Sequence, residues 1–344
     1  MSISRRAMDP ADKAVLRLAI GIGLAVLLAY GLRISLPFLV CVLAVLVLCK
    51  PGPPIPFIKG AVMAAVAAAI SAAGVLMVPI LENYAVAGVM LTAALLYAAF
   101  RPGGGGLTPS ATILVIALTV IPIAGVAEQA LVPLLAKSLA LGIGTGVLVG
   151  SVSHALFPDG PAPGGQAAPA PAVPAFPDAA GWNALRATLV VVPVFVLALT
   201  NPSFYLAAVM KSVALAQQAG AVTARSAGRE LVGSTLTGAW MAALAWLGLS
   251  LRPNLMMLML WIVLAALWAG ARIFGIKATS MPPSFWINAL VTMLILLGPA
   301  IEDSAAGNDV LKASGIRACL FLGLALYAWA TVWALDRWRA SRAV

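Results

Sequence analysis

The chain has 344 residues, 62% of them hydrophobic and 9% charged, with a mean hydropathy of +1.05 and a formal net charge of +10. A soluble domain carries about a quarter charged residues, so this composition excludes a water-covered globular protein. The positive balance does not point to nucleic acid, because the cations are spaced along apolar runs near the length of a bilayer-crossing helix.

In chain order, residues 1–13 form a short basic N-terminus interrupted by Met8 and Asp9. No small-residue cleavage site follows the first apolar block, so a retained helix is expected rather than a removable signal peptide. Apolar runs between charged or Pro/Gly breaks then fall at 14–32, 36–49, 60–81, 84–100, 109–127 and 129–156. A second set falls at 184–200, 203–218, 230–250, 255–273, 283–301 and 312–335. The fold class expected is all-α and polytopic, with about twelve transmembrane helices. The runs 36–49 and 203–218 are short for a full crossing and are expected to tilt or break.

Between the two sets lies residues 157–182, a Pro/Ala/Gly-rich stretch that cannot build a packed core and is expected to be a semi-extended linker. The sets resemble each other. "VLRLAIGIGLAVLLA" from Val15 and "ALRATLVVVPVFVLA" from Ala184 both open with Leu-Arg, placing Arg17 and Arg186 alike. Lys137 and Arg317 each open a sixth helix, and Glu128 and Glu302 precede them after Gly-containing turns. Six crossings return the chain to its starting side, so the expected plan is two parallel six-helix repeats, 14–156 and 183–337, with 338–344 as a C-terminal tail.

Alternating the loops places sixteen basic residues on one side, Lys211 among them, and five on the other. That bias predicts both termini and the linker in the cytoplasm of a bacterial inner membrane, with the cations serving topology and lipid headgroups. The lipid bilayer is therefore the first expected partner, and nucleic acid is not one. The three cysteines lie in apolar runs, and the single histidine, His154, has no companions for a metal site, so no cofactor or metal is expected.

"RSAGRELVGSTLTG" (225–238) approaches the phosphate-loop pattern G-x-x-x-x-G-K-[ST], but Ser234 occupies the lysine position and no strand precedes it. A membrane-helix entrance is the better account. Arg225 and Arg229 sit one turn apart at the boundary, and Glu230 falls in the first helical turn. Ser234 and Gly238 form a small-xxx-small pair that admits a neighbouring helix. Gly142, Gly146 and Gly150 form a G-x-x-x-G-x-x-x-G face in the sixth run, also a packing surface.

Charges inside apolar helices are functional candidates by default. Lys137, Arg317, Arg17, Arg186, Arg225 and Arg229 are candidate contacts for an anion, and snorkelling to headgroups is their bland alternative. Glu128 and Glu302 are candidate proton-coupling acids, although outer helix ends suit them as solvated carboxylates. Asn288, Gln217 and Gln218 bond between helices or touch substrate; sequence does not separate these roles. No nucleophile–base pair or metal cluster points to an enzyme.

The R-x-x-x-R-x-x-x-G-[ST] stretch read at Arg225, Arg229, Gly233 and Ser234, followed by Gly238, resembles the fusaric-acid-resistance and aromatic-acid-exporter superfamily. The Leu-Arg openings and six-helix halves are similar too, and the compact form is similar to a branch known only as a domain of unknown function. That resemblance implies export of small organic or aromatic acids, a periplasmic membrane-fusion adaptor as partner, and an inner-membrane location; an oligomer is compatible with it. The larger relatives carry a cytoplasmic domain where this chain has only its linker, and the first half lacks the arginine pair. A non-transporting scaffold or lipid-interacting assembly component is the alternative function.

Overall fold

The computed structural model describes residues 9–49, 55–101, 109–158, 177–219 and 224–342. Among them all regular structure is helical: α1 (Pro10–Gly31), α2 (Pro37–Leu48), α3 (Phe57–Asn83), α4 (Ala85–Phe100), α5 (Pro109–Ala127) and α6 (Leu131–Leu156) come first. Then follow α7 (Pro177–Thr200), α8 (Pro202–Ala219), α9 (Ala224–Ala227), a π-helical turn (Gly228–Val232), α10 (Gly233–Leu251), α11 (Leu255–Ile273), α12 (Pro283–Ala305) and α13 (Val310–Arg342). Because α9, the π turn and α10 run on without a break, every apolar run expected from sequence coincides with one helical rod. Eight of the described helical stretches are long and apolar enough to cross a bilayer, while α2, α4 and most of α5 are shorter. The fold is that of a multi-pass helical membrane protein.

The helix ends follow local chemistry. Proline opens α1, α2, α8 and α12, where its missing N–H costs nothing. Asp9 accepts a bond from the Ala11 amide and Asn254 one from the Met257 amide, capping α1 and α11. Gly275 and Gly307, with φ of 77° and 76°, follow the caps of α11 and α12 in the left-handed region that terminates helices. Pro79, Pro122, Pro193 and Pro299 lie inside helices, tolerated where neighbouring helices satisfy the freed carbonyls.

Several sequence boundaries shift. Helix α7 starts at Pro177, inside the expected linker, and α13 continues through Arg342, so the expected C-terminal tail is mostly helix. Residues 159–176 of the linker lie outside the described residues. The helix containing Glu230 begins at Ala224, so Glu230 sits in the π turn within a continuous rod rather than in a first helical turn. Glycines flank that wide turn. A Cβ on Gly228 would lie 3.0 Å from the Trp329 indole, and one on Gly233 3.1 Å from Phe285.

Without a hydrophobic drive between helices in lipid, close packing at small residues holds the bundle. Helix α6 lies on α2, and a Cβ on Gly142 would meet Leu43 Cδ1 at 2.6 Å, one on Gly146 the Ala44 Cα at 3.3 Å, and one on Gly150 Leu48 Cδ2 at 3.8 Å. Helix α10 lies along α12 at Gly238, whose absent Cβ would meet Thr292 Cβ at 2.5 Å and the Ala289 carbonyl oxygen at 2.6 Å. Helix α3 lies along α5 in the same way: a Cβ on Gly74 would meet the Ala117 carbonyl oxygen at 2.7 Å. Further pairings are α1 with α2, α6 and α11, α7 with α8, α13 and α4, α12 with α2, and α5 with α8. Helix α12 is the most enclosed, with buried residues on every side from Phe285 to Ala300.

Candidate functional site

Helix α8 carries Lys211 about 13 Å from either end at 1.5 Å per residue. Loop alternation in the sequence counts this lysine among the loop cations; the structure buries it completely, at 0% exposure. Its surroundings are α12 and, across α12, the seam with α10. Lys211 Nζ donates to Thr292 Oγ1 at 2.7 Å and to Asn288 Oδ1 at 3.3 Å. Asn288 Nδ2 in turn donates to Ser234 Oγ at 2.7 Å and to Gln218 Oε1 at 3.0 Å. Five side chains on three helices thus form one hydrogen-bonded cluster, every member buried.

No aspartate or glutamate among the described residues pairs with Lys211. An ammonium removed from water without a carboxylate is costly, and neutral oxygens offset that cost only in part. The cluster is also rich in donors. An ammonium has three N–H groups and Lys211 uses two; a primary amide has two, and Gln218 Nε2 is buried with no partner. The acceptors, by contrast, are all engaged: Asn288 Oδ1, Gln218 Oε1, Ser234 Oγ and Thr292 Oγ1 each receive a bond. The cluster's unspent capacity is therefore in donors, on Lys211 Nζ and Gln218 Nε2.

Of the residues singled out from sequence, Gln218, Asn288, Ser234 and Gly238 lie at this cluster, and the charged candidates lie elsewhere. Lys137 and Glu128 are exposed, on α6 and in the turn before it. Glu302 is exposed near the end of α12, and the acid that pairs with Arg317 is its neighbour Asp303, at 2.6 Å. Arg17 is buried at the start of α1, bonding the Phe157 carbonyl at 2.9 Å and His154 Nε2 at 2.8 Å; Lys13 reaches the Pro158 carbonyl beside it. Arg186 is buried likewise at the start of α7, paired with Asp336 of α13, to which Trp182 Nε1 also donates. Each Leu-Arg arginine therefore ties the opening of one helix to the far end of another, α1 to α6 and α7 to α13. Arg229 is exposed on the π turn, and the Arg225 side chain lies outside the described residues.

Ser234 and Gly238 lie together on the α10 face turned to α12. Ser234 bonds Asn288, and Gly238 lets α12 approach closely enough for that bond to form. Lys211 itself carried a usable signal, a lone cation between "AAVM" and "SVALA", which the modest apolarity of α8 concealed.

A family model described as "Protein of unknown function (DUF2955)" matches residues 14–153. The first half of the chain is similar to that family. The matched region covers most of α1, all of α2 to α5 and nearly all of α6, so the lysine cluster lies wholly outside it. No curated protein and no solved structure matches the chain.

Proposed function

We propose that the protein is a membrane transporter for small organic anions and that the Lys211 cluster is its substrate site. The observation that carries this reading is the fully buried lysine held only by neutral oxygens, in the core of a membrane protein. Intramembrane charges mark solute or ion pathways unless an opposite charge explains them, and none among the described residues does so. An anion with two acceptor oxygens, such as a carboxylate, would supply the missing charge and take the unspent donors of Lys211 and Gln218.

The proposal includes two six-helix repeats. The helix pairings recur in order: α1 with α2 as α7 with α8, α3 with α5 as α10 with α12, α1 with α11 as α7 with α4, and α12 with α2 as α5 with α8. Superposing Gly74 on Gly238 and Ala117 on Ala289, which make the same carbonyl approach, places Ile70 at Ser234, Ile116 at Asn288 and Val120 at Thr292. Helix α2, the counterpart of α8 in this plan, carries no side-chain heteroatom from Pro37 to Leu48 other than the Cys41 sulfur. The α3–α5 seam is thus built from isoleucine and valine where the α10–α12 seam carries Ser234, Asn288 and Thr292, so a seam of this kind packs without that polarity, which supports a functional role for it.

The cation bias supports cytoplasmic termini and an inner-membrane location, and the resemblance to aromatic-acid exporters supports outward transport with a periplasmic adaptor. Expression in an efflux-deficient host tests this. Tolerance to a panel of aromatic and aliphatic carboxylic acids is expected to rise, with lower intracellular accumulation of the tolerated acid. Unchanged tolerance and accumulation, with a cognate adaptor co-expressed, contradict the export reading.

A further inference from the structure

A second feature lies on the opposite side of the α10–α12 seam. A crevice of about 200 Å³ opens between α10 and α11, walled by Trp240, Leu244, Trp261, Leu264 and Trp268, with Met293 of α12 among its lining residues. Trp240 and Leu264 are 56% and 54% exposed, so in a bilayer the crevice opens toward acyl chains. The wall residue Trp268 also carries a charge. The Arg272 guanidinium lies 3.9 Å from the Trp268 ring centroid and 4.8 Å from that of Trp286, and Arg272 Nη1 donates to the Trp268 carbonyl at 2.6 Å.

Arg272 is half-buried, and no carboxylate among the described residues pairs with it. Beside it the Trp286 indole N–H is buried without a partner. The guanidinium lies against two indoles that themselves meet edge to face, 5.1 Å apart and 81° to each other, and it spends Nη1 on the Trp268 carbonyl; the donors it retains suit a phosphate. Position along the helix completes the argument. Arg272 lies in the last turn of α11, at headgroup depth for a spanning helix, while Trp268, Leu264 and Trp261 descend from it by about 16 Å at 1.5 Å per residue. Charge at the interface and an apolar channel running inward match a phosphodiester head and its acyl chain.

We propose that this crevice is a site for one phospholipid, its phosphate on Arg272 and an acyl chain lying along Trp268, Leu264 and Trp261. The site is separate from the Lys211 cluster and does not depend on the transport reading. The test uses the full chain in mild detergent, delipidated and titrated with phosphatidylglycerol, diacylglycerol or inorganic phosphate, with retained lipid counted by native mass spectrometry. One phosphatidylglycerol per chain is expected to survive. Retention is expected to fall at least tenfold in Arg272→Gln, which removes the charge, and in Ala265→Phe, which fills the crevice while leaving the charge. Circular dichroism melts of both variants identify any loss that comes from unfolding; in that event Arg272→Met, which also removes the charge, and Leu264→Phe take their places. Equal retention in folded variants overturns the proposal. So does diacylglycerol bound as tightly as phosphatidylglycerol, competition by inorganic phosphate at equal concentration, or a dimer that forms through this face and excludes lipid.

Discussion

Lys211→Met is expected to abolish anion transport while leaving the protein folded and at least as heat-stable as the wild type. The two halves of this outcome come from one cause. Replacing a buried charge by an apolar side chain of similar length removes its desolvation cost, on the order of several kcal/mol per ion. Against that stand two lost bonds, to Thr292 and Asn288, each worth on the order of 1 kcal/mol. Thr292 keeps its bond to the Asn288 carbonyl, so only Asn288 Oδ1 is left without a donor. The net change in stability is therefore small and transport carries the effect. A lysine that served structure would give the reverse result: a variant that unfolds early or fails to reach the membrane. Thermal melts of the purified variant, beside uptake measurements, separate the two.

The second large effect is at the α10–α12 seam. Gly238→Leu is expected to prevent accumulation of folded protein, and Gly238→Ala to destabilise by about 2–3 kcal/mol, at the upper range for overpacking. A Cβ at this position meets a backbone carbonyl at 2.6 Å as well as Thr292 Cβ at 2.5 Å, and a carbonyl within a helix cannot swing aside as a side chain does. Relief requires α12 to move away, which lengthens the Ser234–Asn288 bond and loosens the hold on Lys211. Gly238→Ala is thus expected to lose transport before it loses membrane insertion. Gly144→Ala on α6 is the control: a Cβ there meets nothing within 4 Å, and the substitution should be neutral or slightly stabilising. Equal melting temperatures for the two alanine variants would show that the seam is not tightly packed.

Helix positions were legible because apolar runs ended at prolines, glycines and charges that also end helices physically. Pro37, Pro202, Pro283, Gly275 and Gly307 each mark a terminus in the structure. The Ser234–Gly238 pair was legible as a packing face, since a small residue recurring every four positions has one geometric use in an apolar helix. The candidate site was not. The residues it bonds across helices are separated by 16 to 81 positions, and nothing local in sequence shows that α8, α10 and α12 meet. Lys211 was sorted with the loop cations because α8 is short and only moderately apolar, so a charge near its centre resembled a boundary. Conversely, Arg17 and Arg186 looked like intramembrane charges, yet partners on α6 and α13 occupy them. A charge in an apolar helix is informative only once its partners are known, and those come from the fold.

The most direct measurement is uptake of labelled carboxylates into proteoliposomes by the wild type and by a variant with an apolar cluster: Lys211→Leu together with Asn288→Ile and Thr292→Val, the last two copied from Ile116 and Val120 of the first half. The account predicts a folded variant with melting temperature equal to or above that of the wild type and uptake reduced to the protein-free background. Uptake at the wild-type rate by the folded variant would contradict it, because the substrate would then cross without the Lys211 cluster.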